Sequence, residues 1–132
     1  LLPMRWILIG CFAIVAFDAV SALAAKALGF EYGGFPGIVV STAIYAVPAF
    51  NAARGRRKAR VGALVGATVA LTDATIGWAV SWLIGPGAPP ADFRTPDLLV
   101  LTVIMVVVLG AAVGLAAGIV ARRVPRESSA SL

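Results

Sequence analysis

Residues 98–121 read LLVLTVIMVVVLGAAVGLAAGIVA, twenty-four residues without a charge. A bilayer core about 30 Å thick is crossed by about 20 helical residues. The run is continuously apolar and does not alternate, which fits a spanning helix and not a barrel strand. Working outward, three further stretches have the same character. Residues 61–84 carry one acid, Asp73. Residues 6–28 carry Asp18 and, near their end, Lys26. Residues 35–53 carry no charge. This second stretch is the shortest, and a re-entrant segment is its alternative reading. The expectation is an all-α integral membrane four-helix bundle. Residues 1–121 form a single transmembrane domain, and residues 122–132, ending ESSASL, form a disordered cytoplasmic tail.

Composition supports this class. Of 132 residues, 61% are apolar and 13% charged, and mean hydropathy is +0.98. Soluble domains have about 45–50% apolar and about 25% charged residues, so this chain could not clothe a soluble core in polar surface. There is no His and only one Cys. An internal disulfide, a Ser-His-Asp site, His-ligated haem and a His- or Cys-based metal site are therefore not expected. No cofactor, metal ligand or catalytic residue is assigned. Leu8-Ile9-Gly10-Cys11 resembles the signal preceding a lipidated cysteine, but only a few apolar residues lead up to it and the chain stays apolar afterwards. Met4 is a candidate natural start.

The connections carry the charge. Lys26 to Pro36 contains Gly29, Gly33 and Gly34. Arg54 to Arg60 is basic. Gly85 to Asp97 reads GPGAPPADFRTPD, a run that cannot continue a helix. With four spans, both termini lie on one side. That side holds nine basic residues: Arg5, Arg54, Arg56, Arg57, Lys58, Arg60, Arg122, Arg123 and Arg126. The other holds two, Lys26 and Arg94. Basic residues are retained in the cytoplasm, so the termini and the middle connection are expected there. The brevity and the Ala, Gly, Val and Arg richness suggest a bacterial cytoplasmic membrane. The net charge of +5 is then explained by topology and by anionic lipid headgroups, with no nucleic-acid partner. Trp6, Trp78, Trp82 and Tyr32 fall where interfacial anchors belong.

Shifted by 55 residues, the chain meets itself at Arg5/Arg60, Asp18/Asp73, Ala19/Ala74, Ala24/Ala79 and Leu28/Leu83. Each acid lies 13 residues after its arginine, about 20 Å along a helix. The expectation is two helix-pair repeats in parallel orientation, with both acids at one depth. An acid at mid-bilayer costs about 2.5–3.5 kcal/mol. Each must therefore face protein or a wet cavity, and find a donor or take a proton. In span three, Gly62, Gly66, Ala70, Asp73 and Gly77 form one stripe of close approach. In span one, Cys11, Asp18, Ser21, Ala22 and Ala25 do likewise. Ser41 and Thr42 of span two reach the same depth, Tyr45 lies closer to the cytoplasm, and Pro48 can kink the helix. The candidate proton, cation or polar-lock cluster is Asp18, Ser21, Ser41, Thr42 and Asp73. Gly110, Gly114 and Gly118 of span four mark close packing, against span three or against a second copy in a homo-oligomer.

Two functions are consistent with this pattern. The first is a structural or accessory membrane subunit, with the lipid bilayer as its surroundings, whose buried Asp18/Asp73 pair locks helices together. The alternative is a small oligomeric transporter or ion pathway using both acids as proton or cation sites. In size and span count the chain resembles the small multidrug resistance transporters, which place an acid in the first span and a dimer contact in the last. That likeness stops at the plan: the family has one membrane glutamate and weak orientation bias, against two aspartates and strong bias here. An intramembrane aspartyl protease needs Gly-x-Gly-Asp. Here the acids follow Ala16-Phe17 and Leu71-Thr72, so no enzyme is expected.

Overall fold

Each apolar run folds as one helix, because backbone groups in hydrocarbon must bond within their own segment. The computed structural model describes residues 2–125. The remainder of the polar tail, with its expected disorder, lies outside the described residues. The helices are α1 (Leu2–Leu28), α2 (Phe35–Arg56), α3 (Ala59–Ile84) and α4 (Pro96–Arg123). All four are long and apolar enough to cross a membrane, and no strand occurs among the described residues. These are the helices of an integral membrane protein.

The breaks have local causes. α1 stops where Gly29 turns left-handed at φ 71°. Its N–H then closes on the Ala25 carbonyl at 2.9 Å. Pro36 and Pro96 stand in the first turns of α2 and α4, where no N–H is needed. The second span gains its length by starting at Phe35 and running on through Arg54 and Arg56. Its 22 residues give about 33 Å, enough to cross. The basic connection thereby shrinks to Arg57 and Lys58, with Arg57 at φ 53° making the turn. A single turn of 3₁₀ helix, Ala91–Phe93, interrupts the Pro-rich connection before α4.

Small residues are inside and large ones outside. Ala22, Ala49, Ala52, Ala53 and Ala70 are fully buried, whereas Phe12 is 78% and Leu83 87% exposed. The only large apolar side chains wholly inside, among the described residues, are Ile14, Val65 and Val69. This inverts the soluble pattern and suits a protein whose surroundings are as apolar as leucine.

The closest seam joins α3 to α4. A Cβ on Gly62 would overlap the Gly114 carbonyl, one on Gly66 the Gly110 carbonyl, and one on Gly118 would lie 2.7 Å from the Ala59 carbonyl. Gly110, Gly114 and Gly118 are thus occupied within the chain. A second copy meeting α4 would find its other face, with Leu101, Met105 and Val108. Gly10 of α1 lies against Val69 and against Pro48 of α2, so the proline serves as a packing surface.

Candidate functional site

Asp18 lies on the buried stripe of α1, with Ile14, Ala22 and Ala25 above and below it. Ten residues separate it from the end of α1, about 15 Å along the axis. Asp73 begins a π-helical turn, Asp73–Gly77, inside α3. The Trp78 N–H bonds the Asp73 carbonyl five residues back. One extra residue in the turn rotates the rest of the helix by about 100°. The small-residue stripe therefore changes partner along its length. Gly62, Gly66 and Ala70 meet α4, while Gly77 meets α1.

Gly77 is where the acids come together. A Cβ there would overlap Asp18 Oδ2 and lie 3.3 Å from Asp73 Oδ1, so both carboxyls flank one glycine. They are within hydrogen-bonding reach of each other. Asp18 is 5% and Asp73 7% exposed, and neither has a Lys or Arg partner among the described residues.

Tyr45 on α2 donates its hydroxyl to Asp73 Oδ2. Tyr32, on the α1–α2 connection, donates to Asp18 Oδ1 at 3.5 Å. Burial holds the Tyr32 phenol above its usual range, against the pull of the Ser81 hydroxyl, so it remains a donor at neutral pH. Asp18 Oδ2 is buried and meets no donor other than a proton shared with Asp73. Just below, Cys11 Sγ and Thr72 Oγ1 are 3.2 Å apart.

A cavity of about 510 Å³ runs from the two acids to the 29–34 connection. Ser21, Ser41 and Thr42 line it together with Asp18 and Asp73. The hydroxyls do not bind the acids, however: Thr42 Oγ1 is spent on the Ile38 carbonyl at 2.8 Å. The donors are instead Tyr45 and Tyr32. Tyr45 sits one turn beyond Ser41 on the same face of α2, and that i, i+4 relation is the sequence signal that points to it. Tyr32 has no such signal, because a connection's path is not periodic.

No Lys or Arg lines the cavity among the described residues. Lys26 Nζ is engaged by the Ile84 carbonyl at 3.0 Å and Arg94 Nε by the Pro89 carbonyl at 2.7 Å. Among the described residues, no three His, Cys, Asp or Glu side chains gather as a metal site. A second cavity of about 320 Å³ lies between the ends of α3 and α4 and shares Tyr32 and Trp78 with the first. Trp78 and Trp82 stack there, centroids 6.4 Å apart.

Fold and site together define a small four-helix membrane protein with a carboxyl pair lining a half-open cavity. No protein-family model, curated protein or solved structure matches the chain.

Proposed function

We propose that the protein is a small membrane transporter or ion pathway in which Asp18 and Asp73 form a single proton or cation site. The supporting observation is that both carboxyls line one cavity and flank one glycine, with no basic side chain in the lining among the described residues. A proton or a cation between them satisfies the facing oxygens. The lock reading keeps the Tyr45–Asp73 bond, which ties α2 to α3, and a proton shared by the two acids would tie α1 to α3 as well.

The nine-to-two split of basic residues supports an orientation with both termini cytoplasmic, in a bacterial cytoplasmic membrane. The 29–34 connection, which lines one end of the cavity, then lies on the outer side. The 55-residue offset supports descent from a duplicated helix pair that brought one acid from each copy to the same glycine. Four helices leave little room for a complete pathway, so a homo-oligomer is part of the proposal.

Reconstitution in liposomes tests this. Proton or cation flux is expected for the wild type and is lost in both Asp18→Asn and Asp73→Asn, with secondary structure retained. No flux in any of the three overturns the proposal and returns the acids to a structural role.

A further inference from the structure

We infer that the second cavity, between the ends of α3 and α4, holds a zwitterionic phospholipid of the leaflet opposite the termini, with one acyl chain inside and the phosphate at Arg94. The inference does not depend on the carboxyl pair.

The cavity follows from the way α3 and α4 part. Toward the chain termini they meet glycine to glycine, through Gly62, Gly66, Gly110 and Gly114. The π turn at Asp73–Gly77 then swings the small-residue face of α3 toward α1. Beyond that turn, Trp78 and Trp82 stand across about 320 Å³ of space from Leu98, Leu99 and Thr102. The 85–95 connection closes the top, where Gly87 lies against Ser81. The side stays open: Leu98 is 36% and Phe93 60% exposed. The tail beyond Arg123 cannot fill the space, because it leaves from the other end of α4, 28 residues or about 42 Å away.

Depth selects a lipid. The hydrocarbon core is about 30 Å thick and the whole bilayer about 40–45 Å. With α4 centred, the core boundary falls roughly 6 Å inside its end, level with Leu98, Leu99 and Thr102. At that height a phospholipid changes from headgroup to chain. The interior suits the chain. No charged side chain lines it among the described residues. Its hydroxyls are already committed: Ser81 to the Trp78 carbonyl at 2.9 Å, Thr102 to the Leu98 carbonyl at 2.7 Å, and Tyr32 to Asp18.

The rim suits the headgroup. Arg94 follows Phe93, a lining residue, and its Nε donates to the carbonyl of another, Pro89. Both Nη groups of the guanidinium fork remain for phosphate oxygens. Asp92 and Asp97 stand on either side of Arg94 in the chain. They match an ammonium beside the phosphate and oppose a second negative charge.

The test uses the full chain with Trp6→Phe, in detergent, so that Trp78 and Trp82 are its only indoles. Phosphatidylethanolamine brominated along its chains is titrated in while indole fluorescence is read, since bromine quenches on contact. Phosphatidylglycerol and diacylglycerol with the same brominated chains are the comparisons. Saturable quenching by phosphatidylethanolamine is expected at a mole fraction about tenfold below that needed for diacylglycerol, as a charge-assisted hydrogen bond supplies. Arg94→Gln should remove that advantage, and Thr102→Phe, which crowds the cavity, should weaken quenching. The comparison of lipids stands even if a variant does not fold. Equal quenching by phosphatidylethanolamine and diacylglycerol overturns the inference, and so does an advantage that survives in folded Arg94→Gln. Phosphatidylglycerol binding as tightly as phosphatidylethanolamine overturns the zwitterion. Unquenched indoles in a protein that light scattering shows to be dimeric would give the cavity to a second copy instead.

Discussion

Replacing Gly77 with alanine perturbs the site at its narrowest point. The new Cβ would overlap Asp18 Oδ2 and crowd Asp73 Oδ1 at 3.3 Å. Asp18 is held on a buried stripe, so its short side chain has little room to retreat. Overpacking of this kind costs about 1–3 kcal/mol. Against it stands the helix preference of alanine over glycine, about 1 kcal/mol. The net expectation is a loss of up to about 2 kcal/mol, read as a lower melting temperature in detergent, together with weakened cation binding. The sign should reverse once the carboxyl is removed. In an Asp18→Ala background, Gly77→Ala should be neutral or stabilising by up to about 1 kcal/mol. Thermal melts of the four proteins in this cycle give the coupling directly. Equal effects of Gly77→Ala in both backgrounds would refute the placement of the Asp18 carboxyl against this glycine.

Three other perturbations probe the rest of the structure. Gly114→Ala pushes a methyl group into the Gly62 carbonyl, where backbone has to move; a loss of about 1–3 kcal/mol is expected in the thermal melt, whereas Gly37→Ala, with open space around it, should leave the melt nearly unchanged. Tyr45→Phe removes the donor to Asp73 and should cost about 0.6–1.7 kcal/mol, the range for interhelical bonds in membranes, with little added loss when combined with Asp73→Asn. In a Cys11→Ser chain, Arg57→Cys should react with a membrane-impermeant thiol reagent only from the cytoplasmic side and Ala91→Cys only from the outside; labelling from the opposite faces would invert the orientation.

How much of this is legible in the sequence depends on periodicity. The four spans come from length and hydropathy, because hydrocarbon leaves a backbone few choices. Asp18 and Asp73 are conspicuous for the same reason, as charges in runs that otherwise exclude them. Their neighbours are harder. The stripe Gly62, Gly66, Ala70, Asp73, Gly77 reads as one continuous face, yet the π turn divides it between α4 and α1. Nothing in 3.6-residue counting announces an inserted residue. Ser41 and Thr42 are at the right depth, but a hydroxyl within a helix readily bonds the carbonyl four residues back, as Thr42 does. The longer Tyr45 reaches past them to Asp73. Tyr32 depends on the course of the 29–34 connection, which glycine-rich sequence leaves open.

A double-mutant cycle at the two acids gives the sharpest test of their meeting, since both carboxyls flank Gly77. Thermal melts in detergent of the wild type, Asp18→Asn, Asp73→Asn and the combined variant should show a coupling of about 0.5–3 kcal/mol, as residues in contact do. Effects that add to within about 0.3–0.5 kcal/mol, in folded proteins, would mean that the carboxyls do not share a floor.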